Sequence, residues 1–237
     1  MAGTAVQRLP RQRADASRNH DRIVAAAREL FVEHGADVPL DEIAQRAGVG
    51  NATLYRHFAN RRELIRVVIL SLMSRIAEGA ERALAEEPDA FGALRRFVHE
   101  SADGFIGALC PIFSDWLDPN DPDLRTLRER FERVVESLLQ RARESGQLRR
   151  DIGPGDLIVP IVQLTRPIPG TARATVDRFV HRHLELLVDG LRAPQPSVLP
   201  GCSATLADLR EGCALRMADL RRPNRGSDAG LAGERAD

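Results

Sequence analysis

The run Asn51-Ala52-Thr53-Leu54-Tyr55-Arg56-His57-Phe58 gathers an amide, a hydroxyl, a phenol, a guanidinium and an imidazole in consecutive turns of chain. If Leu54 and Phe58 face inward on a helix, then Asn51, Ala52, Thr53, Tyr55, Arg56 and His57 are left around its outer faces. Together such donors can hold phosphate oxygens and read base edges. Arg61 and Arg62 follow at the start of the next helix, free to reach phosphate. We expect Tyr55, His57 and Arg61 on the backbone of double-stranded DNA, and Asn51, Ala52, Thr53 and Arg56 on its bases.

Other chemistries are thinly represented. His181 and His183 stand two apart on a helix and point in different directions, unlike a metal pair at i, i+4. No Gly-x-Ser-x-Gly, phosphate loop or dinucleotide fingerprint occurs. No catalytic residue, metal or cofactor is therefore expected. Cys110, Cys202 and Cys213 lack paired spacing, and no signal peptide is read, so a reducing cytoplasm is the expected compartment. The longest apolar runs, Val67 to Leu70 and Leu157 to Val162, are too short to cross a bilayer.

The donor-rich helix needs a frame, and residues 39 to 58 supply one. Leu40, Ile43, Ala44 and Ala47 recur at helical spacing, Gly48-Val49-Gly50 interrupts, and a second helix begins at Gly50 or Asn51. Pro39 suits a helix start, and Asp41 and Glu42 put negative charge in the first turn. Gly48 can take the left-handed conformation that ends a helix. The pattern is a helix-turn-helix, or a packing hairpin of the same spacing.

At this point the residues resemble a known family. IAQRAGVGNATLYRHF followed by ANRRELI is similar to the DNA-binding signature of TetR-type (tetracycline-repressor-like) transcriptional regulators, over about residues 20 to 66. The chain departs at Gly50, where Ser is common, and at Arg61, where Lys is common. The resemblance implies an all-α fold with an N-terminal helix-turn-helix domain and a larger C-terminal helical domain for ligand binding and dimerisation. It further implies a homodimeric repressor on a palindromic operator, released by a small-molecule effector. The C-terminal part, with Leu164-Thr165-Arg166-Pro167, resembles the SbtR-like domains of such regulators. The alternative from another class is a helical small-molecule-binding protein or enzyme with an incidental hairpin.

The remaining chain reads as helices throughout. Residues 1–18, with Arg8, Arg11, Arg13 and Arg18, are expected as a disordered basic arm. Residues 19–66 form the DNA-binding domain. Asn19 to His34 is its bracing helix, buried through Ile23, Ala26, Ala27, Leu30 and Phe31. Asn60 and Glu63 read as a capping box opening a helix to about Glu86. Residues 67–193 form the effector and dimerisation domain, with helices from Phe91 to Leu109 and from Leu124 to Ser145. Gly153-Pro154-Gly155-Asp156 opens an apolar helix to Leu164. A last helix, Thr175 to Leu191, is expected to turn Val176, Phe179, Val180, His183, Leu184, Leu187 and Leu191 inward. These last two need more partners than one chain offers, which a second copy would supply. Residues 194–237 shift to Pro, Gly, Ser, Ala and Arg and are expected as a low-complexity tail.

Charge and aromatics sharpen the division. All 34 basic residues are Arg, matched by 34 acids. Residues 1–66 hold 11 Arg against 8 acids, so the basic excess is N-terminal, as DNA binding requires. Phe105, Phe113 and Trp116 belong to an aromatic cluster between residues 91 and 131. It is either ordinary core or, as the resemblance implies, the wall of a ligand cavity.

Overall fold

A computed structural model of the chain describes residues 8–104, 107, 109, 116–118, 120–166, 173–194, 197–206 and 208. Side chains are described from residue 15 in the first helix and from residue 179 in the last. Among these residues the architecture is eight α-helices, with one isolated bridge between Leu148 and Arg192.

Helix α1, Arg8–His34, buries Ile23, Ala27, Leu30 and Phe31 against the rest of the N-terminal domain. It begins well before Asn19, so residues 8–18 are helical rather than a disordered arm. The reason is local: this segment holds no Gly, Ala and Arg favour helix, and Pro10 falls in the first turn, where an amide needs no intrahelical partner. Arg18 also pairs with Asp15 one turn back.

Helices α2 (Leu40–Ala47) and α3 (Asn51–His57) form the expected pair. Gly48 joins them at φ 63°, ψ 39°, in the left-handed region that costs a side chain least when it is absent. The amide of Val49 donates to Ala44 O at 3.0 Å and that of Gly48 to Gln45 O at 3.0 Å, which is the double closure of a Schellman end.

Helix α4 (Arg61–Glu86) leaves the hairpin and runs unbroken into the C-terminal domain. Asn60 Oδ1 accepts from the Glu63 amide at 2.9 Å, while Glu63 Oε2 accepts from the Ala59 amide at 2.6 Å. The reciprocal arm of the capping box therefore lands one residue earlier than the usual pattern. Along its length α4 packs on α1, then on α5 (Ala90–Asp103) and α6 (Pro122–Glu144). Helix α5 stops at Asp103, earlier than the apolar spacing to Leu109 suggests.

Helices α7 (Pro154–Leu164) and α8 (Arg173–Leu191) close the C-terminal domain. Val180, Leu184, Val188 and Leu191 form the buried stripe of α8. Phe179 is 46% exposed, Leu186 is 63% exposed and His183 faces solvent. The expected inward face is thus rotated: α8 packs on both α5 and α7, and the 180/184/188/191 stripe is the one covered.

The start of the expected tail is structured. Past α8 the chain returns to the N-terminus of α7, where the Gly155 amide donates to Ala204 O at 2.8 Å and the Ala204 amide donates to Asp156 Oδ2 at 3.2 Å. Arg149 holds Ser197 O at 2.9 Å, and Leu206 packs on the core. A Cβ on Gly153 or Gly155 would sit 2.5 or 2.8 Å from Ala204 O, so the two glycines flanking Pro154 are what let this strap pass.

Candidate functional site

The recognition surface is built outward from Leu54 and Phe58, which are 0% and 1% exposed and anchor α3. Gly50 caps the helix through its carbonyl, which accepts from Thr53 at 2.8 Å and Leu54 at 3.2 Å. Around the outside, Asn51, Ala52, Tyr55 and Arg56 are exposed and Thr53 is half-buried. Tyr55, at 52% exposure, is the large apolar surface group of this helix. Asn51 Nδ2 donates to Asp41 Oδ1 at 2.8 Å, tying the start of α3 to α2.

Of the expected phosphate ligands, Arg61 is engaged within the fold and His57 is partly enclosed. Arg61 is half-buried, and its Nη1 donates to Ala36 O at 2.5 Å and Val38 O at 2.6 Å. It closes the α1–α2 loop, whose carbonyls have no helical partners, and so is not the free cation the sequence suggests. Arg62, its neighbour, is exposed at the same helix start. His57 is half-buried with Nε2 enclosed and without a partner among the described residues. Burial, then the neighbouring His20 and Arg56 charges, hold its pKa below the usual histidine value. Both causes favour the neutral imidazole.

Residues outside the motif position it. Arg22 Nη2 donates to Ala47 O at 2.5 Å and Gly48 O at 2.8 Å, capping the last carbonyls of α2. The His20 ring stacks on Phe58 at 5.2 Å between centroids and meets His57 edge-on at 6.2 Å. One segment of α1 thus grips the turn and the far end of α3 together. Neither residue stands out in sequence, because both sit at ordinary polar positions of a helix.

A second feature lies in the C-terminal domain. A cleft of about 450 Å³ runs between α4 and α5, with Leu72, Ile76 and Phe97 at its floor and Arg75, Glu100 and Ser101 among its polar lining. Of the cavity residues expected from sequence, Trp116 is half-buried and packs on the core, while Phe105 and Phe113 lie outside the described residues. His99 turns away from the cleft, its Nδ1 2.7 Å from His181 Nδ1 on α8.

Between hairpin and cleft, Arg66 on α4 donates through Nε to Asp121 Oδ2 at 2.5 Å and through Nη2 to Asp123 Oδ2 at 2.6 Å. Asp121 caps α6, so the ion pair joins the second turn of α4 to the start of α6.

A donor-bearing recognition helix on a braced hairpin, continued by one long helix into a separate helical domain, defines a helix-turn-helix DNA-binding regulator. Residues 23–68 match the family model for bacterial regulatory proteins of the tetR family, and residues 89–193 match that for the C-terminal domain of SbtR-like transcriptional regulators. The chain belongs to the TetR family of transcriptional regulators. A solved TetR regulator from Streptomyces coelicolor is 28% identical with a TM-score of 0.59, over 74% of this chain and 99% of that one. Another from Mycobacterium vanbaalenii is 29% identical with a TM-score of 0.52, over 77% and 99%. The transcriptional activator FasR of Mycolicibacterium smegmatis is 32% identical over 41% of this chain and 49% of its own, so the chain spans about half of that relative. The nucleoid occlusion factor SlmA of Marinobacter nauticus is 26% identical over 58% and 72%. Among the described residues, no helix is long and apolar enough to cross a membrane.

Proposed function

We propose that this regulator is a homodimeric repressor that holds a palindromic operator and is released by a small-molecule effector in the α4–α5 cleft. The observation that carries this reading is helix α4 itself, whose first turn is capped beside the recognition helix and whose residues 72–82 wall the cleft. A ligand that favours one placement of α4 over another then weakens DNA, and DNA weakens the ligand by the same factor. Residues 19–66 serve as the DNA-binding unit and 67–193 as the effector and dimer unit. The protein works in the cytoplasm without catalysis, metal or cofactor.

On DNA, Asn51, Ala52, Thr53 and Arg56 face bases, Tyr55 contacts phosphate, and Arg62 takes the place expected of Arg61. The dimer forms on the outer side of α8, where Phe179 and Leu186 are exposed beside half-buried Leu187. Two recognition helices about 34–36 Å apart then match successive major grooves on one face of the duplex.

A gel shift with the gene's own upstream DNA, combined with sedimentation, tests the reading. A dimer that retards one palindromic fragment is the expected result, and a monomer without sequence preference rejects it. Because the relative FasR is named an activator, a promoter reporter in a deletion strain decides the sign. Higher output without the regulator supports repression.

A further inference from the structure

We propose that the α4–α5 cleft takes an amphipathic anion, a molecule with an apolar body and a carboxylate or phosphate head seated by Arg75 and hydrogen-bonded by Ser101. This rests on the reading of the cleft as the effector site and adds the chemical class of the effector.

The charges in the lining are unequally satisfied. Glu78 accepts from the Ser74 hydroxyl at 2.7 Å and lies 4.0 Å from Arg130. Glu100 accepts from Arg96 at 2.7 Å and lies 3.9 Å from Arg82. Asp103 Oδ1 lies 3.1 Å from His181 Nε2. Every carboxylate of the cleft thus has a cationic or imidazole partner. Arg75 has no ion-pair partner among the described residues. It lies close enough to Arg28 for its charge, after burial, to lower the pKa of that guanidinium, and Arg28 Nε is enclosed without a hydrogen-bond partner among the described residues. Arg28 lies outside the cleft lining and also feels the Glu29 carboxylate, so Arg75 is the cleft cation left to meet an arriving anion, which its planar fork can hold through paired hydrogen bonds.

Ser101 is an independent sign. It is 2% exposed, lines the cleft, and its Oγ has no partner among the described residues. A buried hydroxyl left unpaired is costly, so a ligand that pairs it gains that hydrogen bond. The two groups stand level. A Cβ on Gly104 would lie 3.6 Å from Leu72 Cδ1 and one on Gly79 would lie 3.0 Å from Glu100 Oε2, so α4 and α5 run antiparallel here and residue 75 falls opposite the 101–104 turn. The apolar floor of Leu72, Ile76 and Phe97 receives the body of the ligand. A cationic ligand would instead have to displace Arg130, Arg96 or His181 from its carboxylate.

The test is calorimetric titration of the full chain with decanoate, decyl phosphate and decylamine, which share one tail and differ in head. One site per chain for either anion, with decylamine weaker by about tenfold or more, is expected for a head held by a charge-assisted contact. Arg75→Gln should weaken the anion by about tenfold, and Ser101→Ala should weaken it several-fold. Neither variant should lower the melting temperature of the free protein, since one removes a like charge beside Arg28 and the other an unpaired buried hydroxyl. Decylamine binding as tightly as the anions, no probe binding at millimolar concentration, or undiminished affinity in Arg75→Gln would each overturn the proposal. Anion binding of the expected pattern that leaves operator affinity unchanged upholds the site and rejects release by it.

Discussion

Substituting Asp121 should loosen the joint between the DNA-binding and C-terminal domains by an amount the structure sets. The carboxylate is 9% exposed and accepts from Arg66 Nε at 2.5 Å, Arg66 Nη2 at 3.0 Å and the amides of Asp123 and Leu124 at 2.9 and 3.3 Å. Asp121→Asn keeps the cap, because Asn serves that position as well as Asp, but loses the charged pair. A charge-assisted contact is worth roughly 1.5–3 kcal/mol. Arg66 is about a third exposed and retains Asp123, so solvent screening trims the loss to about 1 kcal/mol. Asp121→Ala loses the cap too, which adds about 1 kcal/mol. Urea unfolding at fixed protomer concentration measures both, and a cycle of Arg66→Ala, Asp121→Asn and the double variant isolates the pair. Single-variant effects that add to within about 0.3 kcal/mol would show that the pair carries no coupling. The Arg66 hydrogen bonds hold Asp121 below its ordinary value of 3.8. Its contribution is therefore complete above that value and is lost as pH falls through the depressed one, so the coupling should be flat from pH 5 to 8 and shrink only below about pH 3.8.

Three further outcomes are expected. Arg61→Ala should cost about 1–3 kcal/mol of stability by orphaning the Ala36 and Val38 carbonyls and leave the salt dependence of DNA binding intact, whereas Arg62→Ala, which removes one phosphate contact from each subunit of a dimer, should flatten the slope of log K against log salt by about 1.8 with stability unchanged. Charging the exposed side of α8 with Phe179→Glu and Leu186→Glu should yield a folded monomer in sedimentation that loses the palindrome; a stable dimer refutes the interface. Gly155→Ala should drive its new methyl to within 2.7 Å of Ala204 Cβ, costing about 1–3 kcal/mol and opening residues 197–208 to limited proteolysis. An unaltered cleavage pattern there would mean that the strap does not need the glycine.

Much of the frame was legible because helical spacing and its punctuation are local. The Gly48 turn, the Asn60 cap and the limits of α4 follow from residues within a few positions of one another. Arg61 and Arg22 were misread or missed because a long guanidinium at a polar position looks the same whether it meets solvent or folds back on a carbonyl. Which carbonyls stand open depends on where α1, α2 and α4 meet. The phase of α8 was ambiguous because apolar residues at 179, 180, 184, 186, 187, 188 and 191 form a band wider than one face, and packing on α5 and α7 selects part of it. Residues 8–18 read as a loose arm from their charge, although their individual preferences favour helix. Arg75 and Ser101 drew no notice, since an unmet charge and an unmet hydroxyl are properties of neighbours rather than of spacing.

The continuity of α4 turns small events into large ones. Its 26 residues make a rod of about 39 Å, and about 15 residues, or roughly 22 Å, separate the wall of the cleft near Ile76 from the end that carries the hairpin. A tilt of about 6° pivoting at the cleft therefore sweeps the far end by about 2 Å, enough to take a hydrogen bond of normal length out of range. In the dimer proposed above the two sweeps would combine, so the recognition helices would lose step with the groove repeat while each domain stays internally unchanged. A stiff lever of this kind needs no melting and no rearranged core, only a small change of angle at the cleft.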